Sequence, residues 1–129
     1  MAITIGIAID DLTIEQEEYV LLDDELIEYM YQLDHLEKFP AFKQLGQFDP
    51  YGVTLIPLSM QKELKRELPE VIELAENKSL PNPPDYVGLE GGSVDADFGE
   101  KFGWQGLICF LRNLEKIISN NKPLLAIGD

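Results

Sequence analysis

The first residues of the chain alternate between branched apolar and small side chains with a period of two. Ile3, Ile5, Ile7 and Ile9 fall on one face of an extended segment, and the positions between them carry Ala, Thr or Gly. β-Branched residues at this period are typical of strands. We therefore predict a strand over residues 2–9.

Helical spacing appears three times further along the chain. A first helix is predicted from about Asp24 to Lys38, with acidic residues in its first turn. A second begins after Pro57 and is expected to break or kink at Pro69, because proline lacks the N–H that a helix interior needs. A third is predicted from Trp104 to about residue 119.

Shorter elements are predicted between these helices. Residues 51–56 and 124–127 have the apolar character of short strands. Residues 13–16 have the spacing of a capping box, which indicates a helical turn. The run from 19 to 22 fits a strand or a helix equally well. Residues 40–50 contain two prolines and a glycine and are predicted to form a loop.

Strands at both ends with helices between them predict a mixed α/β (α+β) fold. The terminal strands are expected to share one small mixed sheet, because each needs a partner for its backbone hydrogen bonds, with about three helices beside it. At 129 residues the chain is expected to form a single domain, 1–129.

Charge is distributed very unevenly along the chain. The first 37 residues contain eleven carboxylates and no lysine or arginine, so they hold −11 of the formal charge of −14. A one-sided negative field attracts basic partners and repels nucleic acid and anionic membranes. With 10 basic residues against 24 acidic ones, we expect no binding to nucleic acid.

Tyrosines are interleaved with these acidic residues, and aromatic residues beside acidic ones are typical of interfaces with basic proteins. On the first predicted helix, Leu26, Tyr29 and Met30 fall on one side, and a stripe with Glu28 and Tyr31 falls on the other. Either tyrosine is a candidate anchor. The residues predicted to bind a basic partner are Glu17, Glu18, Asp24, Glu28, Tyr29, Tyr31 and His35. A solvated face that keeps the protein soluble explains the charge equally well.

Targeting signals and chemical motifs are sparse. No apolar run approaches the roughly 20 residues that span a bilayer, and the N-terminus lacks the features of a secretory signal. The lone Cys109 indicates a reducing compartment, so we expect a cytoplasmic protein without a membrane partner. The adjacent Asp10 and Asp11 point to opposite faces of a strand and are expected to form a turn. His35 is the only histidine, and no phosphate-binding glycine motif occurs, so we expect no cofactor, no metal and no catalytic residue.

The long segment 77–103, rich in proline and glycine, carries the alternative interpretation. Asp95, Asp97 and Glu100 there could hold a divalent metal in a metal-dependent enzyme, although a complete EF-hand pattern is lacking. The segment could also contain a strand at 86–89. A third hypothesis is an oligomeric scaffold that binds no small ligand.

Two short segments resemble parts of small bacterial proteins, some of which resemble immunity proteins of toxin systems. The first is Phe-Asp-Pro-Tyr-Gly-Val-Thr at 48–54, followed by Leu58, Met60 and Gln61, and the second is Leu-Leu-Ala-Ile-Gly-Asp at 124–129. The resemblance implies a non-catalytic binding protein. Together with the charge, it favours an immunity or inhibitor protein that engages a basic protein such as a nuclease toxin.

Overall fold

The computed structural model describes residues 2–10, 12–32, 37–48, 51–83 and 103–128. It shows a mixed α/β protein. The elements in chain order are β1 Ala2–Ala8, β2 Ile14–Asp23, α1 Asp24–Tyr31, α2 Pro40–Leu45, β3 Val53–Ile56, α3 Leu58–Glu76, α4 Gly103–Ile118 and β4 Leu124–Gly128. No helix in these ranges is long and apolar enough to cross a membrane.

The strands form one antiparallel sheet in the order β2-β1-β4-β3. The two terminal strands share this sheet, as expected, and they are neighbours at its centre, with Ile5 opposite Ala126. β2 and β3 are therefore the outer strands of the described sheet. This arrangement separates the early, acidic part of the chain from the segment around residue 55.

The helices cover one face of this sheet and form the core with it. Ile3, Ile5 and Ile7 of β1 point to that face and are at most 4% exposed, which confirms the predicted alternation. Leu64 of α3 and Leu111 of α4 are fully buried in the same cluster. Ile9, by contrast, is 64% exposed, because β1 ends one residue earlier.

The helical turn predicted at 13–16 is wrong, because most of this segment belongs to strand β2. The strand begins at Ile14, and its register places Val20 opposite Ile5 and Leu22 opposite Ile3. Both side chains are buried against the helices. Pairing with β1 therefore decides the ambiguous run at 19–22 in favour of a strand, since only a period of two buries Val20 and Leu22 together.

The predicted break at Pro69 is wrong, because α3 is one helix from Leu58 to Glu76. Leu68, Val71 and Ile72, which flank the proline, are all buried in the core. Pro69 lies on the exposed side, so the carbonyl of Lys65 that loses its helical partner is on the side open to water. Burial of the flanking apolar residues outweighs one missing hydrogen bond.

α2 lies where a loop was predicted. Pro40 is at its first turn, and Gly46 follows its last residue. Ala41, Phe42 and Leu45 are buried against the core. Proline at the start and glycine just past the end are a helix signature, so the same residues that suggested a loop delimit a short helix.

Candidate protein-binding surfaces

β2 and α1 carry a run of acidic residues along one outer edge of the described sheet. β2 is an outer strand, and α1 continues directly from it. We call residues 14–31 the acidic end. It contains seven carboxylate residues and no lysine or arginine: Glu15, Glu17, Glu18, Asp23, Asp24, Glu25 and Glu28.

The predicted acidic contacts all belong to this end. Glu17 and Glu18 lie on β2, and Asp24 is the first residue of α1. Glu28 lies one turn after Asp24 on α1 and is exposed. Within the described part of the chain, Glu28 makes no ion pair. Its charge is therefore available to a partner.

The two predicted anchor tyrosines differ in exposure. Tyr31 is 63% exposed, and its hydroxyl donates to the carbonyl of Gly46 at 2.9 Å, which fixes the ring at the surface beside α2. Tyr29 is only 4% exposed, and its hydroxyl donates to the carbonyl of Pro81 at 2.6 Å. Burial raises the pKa of Tyr29 to about 12. A side chain this buried cannot reach a partner, so Tyr29 is removed from the predicted contacts and Tyr31 remains.

His35 and the alternative metal site cannot be placed in the same way. His35, the segment 86–89 and the carboxylates Asp95, Asp97 and Glu100 lie outside the described residues. Their predicted roles stay predictions. In the ranges that the structure describes, no three His, Cys, Asp or Glu side chains lie together as a metal would require.

Asp10 has the turn role that was predicted for it. One of its carboxylate oxygens accepts hydrogen bonds from the backbone amides of Leu12 and Thr13, at 2.8 and 2.9 Å. These hydrogen bonds lower the pKa of the Asp10 carboxyl. The carboxylate stabilises the turn between β1 and β2 and is occupied by the chain itself.

The arginines near the surface pair with glutamates on α3. Arg66 donates to Glu63 at 2.6 Å, and Arg112 of α4 forms an ion pair with Glu76. The Glu63 carboxylate raises the pKa of Arg66 above its ordinary value. The first pair lies within α3 and the second joins α4 to α3, so neither arginine balances the charge of the acidic end.

A second surface lies at the other end of the sheet, beside β3. A cavity of about 480 Å³ opens there between β3, α2 and the first half of α3. We call it the edge groove. Its walls include Phe48, Thr54, Leu55, Met60, Glu63 and Glu67.

Glu67 holds one wall of the edge groove in place. It is 1% exposed, and its two carboxylate oxygens accept hydrogen bonds from the backbone amides of Ala41 and Phe42, at 3.2 and 3.0 Å. These amides are in the first turn of α2, where N–H groups lack helical partners and a negative charge is favourable. Sequence reasoning missed this residue. The signal was an acidic residue on the apolar stripe of α3, three residues after Leu64.

β3 and the residues next to it carry a concentration of exposed apolar side chains. The described residues contain seven large exposed apolar side chains, and four of them are Tyr51, Val53, Leu55 and Leu58. From residue 50 to residue 61 the sequence contains no charged residue, although charged residues make up 26% of the chain. The outer edge of β3 is therefore apolar and uncharged, with Glu63 on the groove wall beside it.

Comparison with known protein families, with curated proteins and with solved structures finds no match to this chain. The resemblance to immunity proteins therefore stays a prediction.

Proposed function

We propose that this chain is a non-catalytic binding protein whose acidic end engages a basic protein partner. The observation that carries the proposal is the run of seven carboxylate residues without a counter-charge on β2 and α1. A field of one sign raises the rate at which an oppositely charged partner arrives, and it discriminates against acidic competitors.

Tyr31 supplies the short-range contact in this proposal. Its ring is exposed close to Glu28 along α1, and its hydroxyl is already bonded to Gly46. An exposed aromatic ring that is held in one position loses little conformational freedom on binding. Electrostatic attraction would bring the partner to the acidic end, and burial of Tyr31 would then slow its release.

The alternative, a solvated face that only keeps the protein soluble, differs from binding in what it requires of the position of the charges. Solubility needs only a net charge far from zero, and the chain would satisfy it with acidic residues placed anywhere. Binding needs the charge on one surface with an apolar contact beside it. Exposed Glu28 and Tyr31, three residues apart on α1, support binding over solubility alone.

The experiment is capture of partners from the protein's own cells at low and at high salt. We expect a basic protein at low salt and its loss at high salt, because screening shortens the reach of surface charges to roughly 8 Å at physiological ionic strength. Failure to capture any protein at either salt concentration would remove the proposal.

The inhibitor role is a narrower part of the same proposal and rests on the resemblance to immunity proteins. If the captured protein is toxic, we expect co-expression of this chain to protect cells from it. A captured protein whose activity is unchanged by the bound chain would leave a binding protein that is not an inhibitor.

A further inference from the structure

The hydrogen-bond register of β3 shows which of its backbone groups face outward. The amide of Gly128 donates to the carbonyl of Gly52 at 2.8 Å, one step beyond the pair Val53–Ile127. Bonded and non-bonded pairs alternate along an antiparallel ladder. Thr54 and Ile56 therefore bond to β4, while the N–H and C=O groups of Val53 and Leu55 point away from it. Among the described residues, none pairs with this outer edge.

The side chains of Val53 and Leu55, next to the outward N–H and C=O groups, are compatible with the pairing of another strand. Val53 and Leu55 are 43% and 60% exposed, so the outward backbone is flanked by apolar surface. Natural edge strands are usually protected by a charged side chain, a proline or a bulge. β3 contains no charged residue and no proline, and its pairing with β4 has no register shift. Within the described residues, its length of four residues is the one such protection that β3 has.

We propose that the edge of β3 accepts an extended, basic segment of a protein partner as an additional strand. Main-chain hydrogen bonds to Val53 and Leu55 would hold the segment, and alternate side chains would enter the edge groove. The groove, at about 480 Å³, has room for a few side chains. This surface is at the other end of the sheet from the acidic end, so the inference goes beyond the proposed function.

The charge of the groove favours a basic segment. Glu63 lines the groove and its side chain is 54% exposed, so one edge of its carboxylate is open beyond the contact with Arg66. Glu67 lies deeper in the same wall, where it accepts hydrogen bonds from the α2 amides and is 4.0 Å from Arg66, and the lining contains no basic residue. A lysine or arginine on the incoming strand would find carboxylates there, and an acidic segment would be repelled.

The same observations argue against a second copy of this chain as the occupant. Pairing β3 with its own copy would bring two bodies of formal charge −14 together. The segment 50–61 contains no basic residue that could approach Glu63 of the other copy. A second copy paired through this segment would therefore bring no positive charge to the open edge of the Glu63 carboxylate.

The direct test uses synthetic peptides about eight residues long, which is ordinary strand length. The first peptide alternates lysine with valine. A matched peptide replaces each lysine by glutamate, and a third carries N-methyl groups on alternate backbone nitrogens. We expect fluorescence anisotropy to detect binding of the first peptide only, because the second is repelled and the third cannot complete the ladder. No binding of the first peptide, or equal binding of all three, would overturn the proposal.

Two variants locate the binding site. Leu55→Pro removes an outward N–H and should weaken binding of the lysine peptide by about tenfold or more. Glu63→Gln should weaken it less, by about threefold. Circular dichroism and unfolding in urea would check that both variants are folded. Equal affinity of the wild type and both variants would place any binding elsewhere.

Amide hydrogen exchange gives a second readout that needs no variant. In the free protein the amides of Val53 and Leu55 should exchange rapidly, and those of Thr54 and Ile56 slowly. Addition of the lysine peptide should protect Val53 and Leu55. Protection of both amides in the free protein, with a dimer found by light scattering, would identify a second copy as the occupant and overturn the proposal.

These tests are independent of the acidic end. Glu28→Lys should leave binding of the lysine peptide at the edge groove within about a factor of two, since Glu28 is not among the residues that line the groove. If the peptide binds and no cellular partner responds to Glu28→Lys, the strand-addition site stands and the proposed function fails. If the peptide does not bind but a cellular partner responds to Glu28→Lys, the proposed function stands and the strand-addition site fails.

Discussion

The two ends of the sheet differ in the side chains that they carry. The acidic end has a strand of 10 residues and an adjoining helix that together carry seven carboxylates. The β3 end has a strand of four residues with no charge and a groove beside it. Charge acts over distance and sets the rate of encounter, whereas backbone groups and apolar contacts act only at close range.

The two outer strands also differ in the number of charged residues that they contain. An edge strand with several like charges is poorly suited to pairing with a copy of itself, and β2 contains Glu15, Glu17, Glu18 and Asp23. β3, at Val53–Ile56, contains no charged residue. One outer strand of the described sheet therefore carries like charges and the other does not.

The largest effect is expected from the carboxylate that builds the groove. Glu67→Ala removes two hydrogen bonds to buried backbone amides at the start of α2 and should lower the free energy of unfolding by about 3 kcal/mol. Glu63→Ala, one turn earlier on the same helix, breaks only a partly exposed ion pair and should cost less than about 0.5 kcal/mol. Urea denaturation of both variants measures the difference. Similar losses would mean that α2 does not depend on Glu67.

Proline substitution in β3 distinguishes its two edges. Thr54→Pro removes an N–H that bonds to β4 and should destabilise the fold by about 2 kcal/mol. Leu55→Pro removes only an outward N–H and should cost less than about 1 kcal/mol. Thermal unfolding of the pair checks this order. If Leu55→Pro were the more damaging change, the register derived from Gly52 and Gly128 would be wrong.

Tyr29 at the acidic end should make stability depend on alkaline pH. Its pKa is raised to about 12 in the folded protein from 10.0, so the unfolded chain releases the phenol proton first as pH rises. Its contribution is complete below pH 10 and is lost between pH 10 and about 12, by on the order of 2 kcal/mol.

The control for this titration is Tyr29→Phe. It removes the hydrogen bond to Pro81 and should lower the free energy of unfolding at neutral pH by about 1 kcal/mol. The variant should then lose less stability than the wild type between neutral and alkaline pH. Equal losses in both proteins would show that the phenol proton of Tyr29 is not linked to folding.

Much of the fold follows from local periodicity, and the errors have identifiable causes. β1, α4 and β4 were predicted because their apolar spacing has a single interpretation. β2 could not be predicted fully, because its strand geometry depends on pairing with β1. The helix through Pro69 depends on burial that propensity does not include.

The surfaces were predictable to different degrees. The acidic end is visible in the sequence, because its residues are consecutive. The spacing on α1 also grouped Tyr29 with Leu26 and Met30, which was the correct indication that Tyr29 is buried. The edge groove could not be predicted, since it needs the strand order and the unforeseen helix α2 to bring Thr54 beside Glu67.

The smallest effect on stability, and the most informative one for function, is expected from Glu28→Lys. Glu28 is exposed and lies four residues after Asp24 on α1, so reversal removes a like-charged pair and should change stability by less than about 0.5 kcal/mol. Association with a basic partner should slow by about threefold or more at low salt, and the difference should shrink at high salt.

Glu73→Lys on α3 is the matched control for Glu28→Lys, because Glu73 is also exposed and its reversal changes the net charge by the same amount outside the acidic end. Stopped-flow or surface plasmon resonance would give both association rates. A reduction confined to Glu28→Lys requires that the partner approach β2 and α1, since total charge is equal in the two variants. Equal slowing in both would mean that the partner responds to the charge of the whole molecule, and the acidic end would then serve solubility alone.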